Sequence, residues 1–184
     1  VTAAIGKLRG FQHSSGGFAY WRGSNDINPW CSSYAGHFLL EAKNKGYAIP
    51  DGLIDRWVQD QTTRARNWNP NVSENSDYHG YLTQAYRLYT LALAGKADLA
   101  DMNRLREDQK MWKQSANMLA AAYAQAGKPE AARDILAHKQ WKDNWTYNYA
   151  GSTYGSDMRD RSLMLETYTL VGDLTQAQAM ADNI

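Results

Sequence analysis

The sequence predicts an all-α chain. Apolar residues recur at three- and four-residue steps almost throughout, the period of a helix with one buried face. Three helical runs end at a glycine and are followed at once by a second helical run, which reads as an αα-hairpin. No stretch of alternating apolar and polar residues is long enough to argue for a strand.

Taken in order, Val1 to Gly10 reads as the tail of a helix. Gln12-His13-Ser14-Ser15-Gly16-Gly17-Phe18 is a turn, and Ala19 to Pro29 (AYWRGSNDINP) a loop rich in Gly, Asn and Asp. Pro29 suits a first helical position with Asn28 as N-cap, because its fixed φ is helical and its missing N–H would have no partner there. In the helix that follows, Trp30, Tyr34, His37, Phe38 and Glu41 recur at three- and four-residue steps, and Lys43-Asn44-Lys45-Gly46 closes it. Pro50-Asp51 starts another, through Leu53, Ile54, Trp57 and Val58. After a polar loop from Asn67 to Asp77, Tyr81 to Ala94 is a helix with Tyr81, Leu82, Ala85, Leu88, Tyr89 and Ala92 on one stripe. Ala97 to Asp108, Lys113 to Ala126 and Pro129 to Ala137 are the next helices. An irregular stretch runs from Trp141 to Gly155. Ser156 caps a helix reaching Val171, Gly172 stops it, and the last helix runs from Thr175 onward.

The hairpins carry a weak repeat. Residues 92–100 (ALAGKADLA) resemble residues 124–132 (AQAGKPEAA), and Leu170-Val171-Gly172-Asp173 repeats the theme. At about 25 cal/mol per Å² of apolar surface, one hairpin does not bury enough to offset its conformational entropy, so neighbours must stack. The uneven spacing suits a helical toroid or barrel better than a regular solenoid.

The 184 residues suffice for one domain or a large piece of a bigger one. A net charge of +1 provides no field for nucleic acid or an anionic membrane, and no apolar run is long enough for direct membrane insertion. Seven Trp and twelve Tyr against three Phe suggest half-buried walls, since rings with a polar edge favour one wet side. The lone Cys31 forms no internal disulfide framework. Asn71-Val72-Ser73 and Asn144-Trp145-Thr146 match the glycosylation acceptor pattern, which is common by chance. The chain starts at Val1 in mid-pattern and stops at Ile184 within a helical run, so both ends are expected to be cuts in a longer chain.

No complete catalytic site is written in these residues. Cys31 sits one step into a helix, a position that lowers a thiol pKa, but no base neighbours it in sequence; its ordinary role is a small apolar residue. His13, His37, His79 and His138 show no metal-ligand spacing, and no metal or cofactor is expected. His37, beside Phe38, reads as packed. His79 lies where a loop becomes a helix, a place that often lines a cleft. Asp26, Asp60, Glu74 and Asp77 lie in or near loops; two of them facing across a cleft would suit glycoside hydrolysis, whereas helix caps are their ordinary use. Arg159-Asp160-Arg161 offers either an anion site or a salt-bridged helix start, the second being the ordinary reading.

Several segments in order resemble one family. They are residues 11–21 (FQHSSGGFAYW), 28–30 (NPW), 33–43 (SYAGHFLLEAK), 46–50 (GYAIP), 89–99 (YTLALAGKADL), 103–106 (NRLR) and 154–160 (YGSDMRD). Together they are similar to the thioester domain of bacterial alpha-2-macroglobulins. The resemblance implies an α/α toroid of antiparallel helical hairpins, with residues 1–184 a single incomplete fragment of it. Gln12-x-x-x-Gly16-Gly17-Phe18 resembles the glutamine-aromatic turn of such toroids, where the Gln amide caps a helix and the Gly pair reverses the chain. The resemblance also implies a broad-spectrum protease trap of the periplasm or cell envelope. Its partners would be target proteases and other domains of the same chain, and capture would run through a thioester between the Cys and Gln of a Cys-x-Glu-Gln motif. This chain has no such motif; Cys31 is followed by Ser32, Ser33 and Tyr34 and is not that cysteine. The reactive residues are expected upstream of Val1 and further helices downstream of Ile184. Two other readings are a carbohydrate-active α/α barrel, from the aromatics and loop carboxylates, and a tetratricopeptide-like scaffold, from residues 119–132.

Overall fold

The computed structural model describes residues 1–72, 78–108, 110–138 and 153–184. Among them are nine helices: α1 (Thr2–Leu8), α2 (Pro29–Asn44), α3 (Leu53–Arg66), α4 (Tyr78–Leu93), α5 (Leu99–Arg106), α6 (Lys113–Gln125), α7 (Pro129–Ala137), α8 (Asp157–Val171) and α9 (Leu174–Ala181). The described residues contain no strand, only isolated bridges Gln12–Phe18 and Ala19–Ile27. The chain is all-α, as its apolar spacing predicts. It divides into two compact units, Val1–Asn67 and Trp68–Ile184.

In the first unit, Asn28 caps α2 as expected, its side chain accepting from the Cys31 N–H at 2.8 Å. The buried face of α2 is not the set of residues that recur at helical spacing in the sequence. Ser32, Ser33, Ala35, Gly36, Leu39 and Ala42 join Trp30 inside, while Tyr34 is 66% exposed and His37, Phe38 and Glu41 are half-buried. The reason is Trp57 of α3. Its indole lies so close to α2 that a Cβ on Gly36 would sit 2.0 Å from the ring, and its Nε1 donates to the Ser32 carbonyl at 2.8 Å. No side chain fits at Gly36 beside that ring, so this glycine and its small neighbours Ser32, Ser33 and Ala35 form the face of α2 nearest it. Helix α3 begins at Leu53 rather than Pro50, because Pro50 to Leu53 closes a turn (Leu53 N to Pro50 O, 3.2 Å) with Gly52 at φ +72°.

In the second unit three long helices, α4, α6 and α8, of 16, 13 and 15 residues, alternate with short α5, α7 and α9, of 8, 9 and 8. Helix α6 packs against α4 and α8, with α7 and α5 also against it; α9 packs on α8. Its residues Ser115 to Tyr123 are all buried, and the run Ala120-Ala121-Ala122 lets neighbours approach closely. The expected α4 stripe is buried, and Gln84, Tyr86, Arg87, Thr90 and Leu91 are buried with it, so α4 is enclosed on more than one face. It begins at Tyr78, three residues before the expected start.

The weak repeat corresponds to one recurring stop. In α4, α6 and α8 the glycine after the last turn has positive φ: Gly95 +70°, Gly127 +72°, Gly172 +76°. The residue after it donates back five positions, Lys96 to Leu91, Lys128 to Tyr123 and Asp173 to Tyr168, at 2.8–2.9 Å. This is the Schellman closure, which satisfies the last carbonyls and turns the chain for the next helix. Ser156 caps α8 as expected, accepting from Arg159 N at 3.1 Å. Asp98 and Asp173 cap α5 and α9 in the same way.

Among the described residues the Trp and Tyr side chains divide between the interior and the surface, where Tyr20, Trp21, Tyr34, Tyr47 and Tyr154 are exposed and Trp112 and Tyr168 half-buried. Trp30, Trp57, Trp68, Tyr81, Tyr86, Tyr89 and Tyr123 are buried. Several phenols find polar ends within the protein: Tyr81 donates to Asp108 at 2.8 Å, Tyr89 to Glu166 and Tyr123 to Asn103, both at 2.5 Å.

Candidate functional site

The turn over residues 12–18 is the most elaborated polar feature of the first unit. Its Gln12 amide, expected to cap a helix, engages the start of α3 through a carbonyl and a guanidinium rather than through a backbone N–H. Its Nε2 donates to the carbonyls of Gly16 (3.0 Å) and Leu53 (2.8 Å), and its Oε1 accepts from Arg56 Nη2 at 2.9 Å. The amide thus clamps the turn to the first turn of α3, using a carbonyl where a cap would use a donor. Gly16, at φ +107°, approaches so closely that a Cβ there would lie 2.0 Å from the Arg56 carbonyl oxygen. Ser15 Oγ donates to Asp60 Oδ1 at 3.4 Å, and Phe18 N donates to Ser32 Oγ at 2.7 Å.

Asp60 is therefore a structural hub. It is buried, takes Arg64 Nε at 2.9 Å, and accepts from Gln61 Nε2 at 2.9 Å; Gln61 Oε1 in turn accepts from Ser33 Oγ at 3.2 Å. A carboxylate committed to three groups, Ser15 of the turn and Gln61 and Arg64 of α3, is poorly placed to move a proton. Asp26 is exposed in its loop, where its own N–H donates to Ser24 Oγ at 3.0 Å. Glu74 and Asp77 lie outside the described residues, as do Ser73 and Asn144 of the two acceptor patterns.

Cys31 is free and half-buried, and burial pushes its thiol pKa up, opposite to the lowering its helix position suggested. His13 is half-buried, its Nδ1 accepting from Ser15 N at 3.2 Å, and His37 is half-buried on α2. His138 is exposed at the end of α7, beside a small cavity lined by Arg106, Asp134 and Ile135. The described residues hold no group of three or more His, Cys, Asp or Glu able to bind a metal.

His79 is half-buried at the start of α4, and its Nδ1 lies 3.0 Å from Thr153 Oγ1. Thr153 is buried and its carbonyl accepts from Arg159 Nη1 at 2.7 Å. Arg159 also pairs with buried Asp160 at 2.6 Å, the salt-bridged helix start expected there. The structure thus brings His79 to the Arg159–Asp160 pair through one threonine. No sequence signal links them, because His79 and Thr153 are 74 positions apart. The described residues contain no helix long and apolar enough to cross a membrane.

The relatives agree along nearly the whole chain. Alpha-2-macroglobulin of Escherichia coli is 27% identical over 198 residues, covering 96% of this chain and 12% of the relative. That of Xylella fastidiosa is 27% identical over 172 residues, covering 90% of this chain and 10% of the relative. Its homologues are bacterial alpha-2-macroglobulins. The structure of the Escherichia coli alpha-2-macroglobulin activated by porcine elastase superposes with a TM-score of 0.77 at 25% identity, over 98% of this chain and 18% of that one. No family model matches the chain. The chain spans about a tenth of the length of the relatives it matches, 10% and 12%.

Proposed function

We propose that residues 1–184 form a single, incomplete part of the thioester domain of an alpha-2-macroglobulin-like protease inhibitor, built as an α/α toroid. In this reading the chain is a wall and not a catalyst. The thioester Cys and Gln belong to a Cys-x-Glu-Gln motif upstream of Val1, and the parent captures proteases in the periplasm or cell envelope. The observation that carries it is the homology to bacterial alpha-2-macroglobulins over 96% of the chain. The alternation of long packed helices α4, α6 and α8 with short α5, α7 and α9 fits the inner and outer rings of a toroid. Burial of such a thioester before triggering would protect its acyl carbon from water and reserve it for a protease amine.

The test uses the parent protein. Exposure to methylamine should release one thiol and add one methylamide at the glutamine of the upstream motif, read by mass spectrometry. A parent that traps proteases without taking up methylamine would retain the inhibitor reading and remove the thioester. A parent that does neither would remove both.

A further inference from the structure

We draw no further inference here: the strongest candidate, the open groove between α7 and the α8–α9 turn lined by Arg133, Leu136, Tyr168, Val171 and Leu174, carries nothing because nothing in the structure shows what covers it.

Discussion

The two units are held by different means. In Val1–Asn67 a long loop is fastened to two helices by a few singular contacts: the Trp57 indole against Gly36, the Gln12 clamp, and the Asp60 hub. In Trp68–Ile184 one local device, a helix closed by a glycine and followed by another helix, is repeated three times around the packed interior of α4 and α6; the first unit has it once, at Gly46 (φ +83°) after α2. The first arrangement concentrates stability in residues that have no substitute. The second distributes it over many interchangeable apolar contacts. Single substitutions at the singular contacts of the first unit should therefore be more damaging than single substitutions within the distributed core of the second.

The largest expected effect is Trp57→Ala. The side chain is fully buried and bonded through Nε1, so its loss should cost about 3–5 kcal/mol, the range for deleting a buried large aromatic. Leu119→Ala in the middle of α6 should cost about 2–3 kcal/mol, near the low end for a core leucine, because the surrounding alanines can close in. Urea titration of the two variants reads the difference directly. Equal losses would show that the first unit is no more dependent on single contacts than the second.

A sharper comparison uses two glycines of positive φ. A Cβ at Gly16 would meet the Arg56 carbonyl at 2.0 Å, whereas nothing lies within 4 Å of one at Gly127. Gly127→Ala should cost about 1 kcal/mol, the backbone penalty for a left-handed residue alone. Gly16→Ala adds displacement of the turn from α3 and should cost about 3 kcal/mol, since overpacking contributes a further 1–3. Thermal unfolding of the pair separates conformation from clash. A Gly16→Ala loss no greater than that of Gly127→Ala would mean that the turn can lift from α3 freely.

These same residues show what could be read in advance. The stops at Gly95, Gly127 and Gly172 and the caps at Asn28 and Ser156 were legible because each is settled within five residues of chain. The buried face of α2 was not, because Trp57, more than 20 positions away, leaves no room for a side chain at Gly36. Asp60 was legible as a loop-end carboxylate but not as a hub, since its link to Ser15 spans 45 positions and the Gln61–Ser33 link spans 28. The candidate site has the same limit: His79 was visible as a junction residue, while Thr153 and Arg159 reach it only through the fold. The family resemblance was legible because the short local segments keep their order along the chain.

A smaller effect tests the polar ends of the aromatics in the second unit. Tyr81 is buried and donates to Asp108, and burial first, then the Asp108 carboxylate, push its phenol above the ordinary tyrosine range. The native state thus holds the proton more tightly than the unfolded chain. The stabilisation is complete below the unfolded tyrosine pKa of about 10 and is lost as pH rises above it. Tyr81→Phe should cost about 1.5 kcal/mol at neutral pH, the low end for a hydrogen bond to a charged acceptor. It should also flatten the alkaline loss of stability, measured as urea midpoints from pH 8 to pH 11. An unchanged alkaline slope would assign that loss to other groups.

The smallest effect returns to one device present in both units. Asn28 accepts from Cys31 N at 2.8 Å and Ser156 from Arg159 N at 3.1 Å, so each satisfies one helix N–H that no backbone carbonyl reaches. Alanine at either position should cost about 1 kcal/mol. The two need not respond alike in local opening, however. Asn28 follows the loop that Phe18 and Ser32 tie to α2, so its loss should loosen the loop as well as the helix end. Ser156 precedes a helix whose first turn is also held by the Arg159–Asp160 pair and by the bond from Arg159 to Thr153, so its loss should stay local. Amide hydrogen exchange distinguishes these outcomes. Asn28→Ala should raise exchange at Phe18 and Ala19 together with Cys31, whereas Ser156→Ala should raise it at Arg159 alone. Spread of the Ser156 effect into α4 would show that the second unit, too, depends on a singular contact at its candidate site.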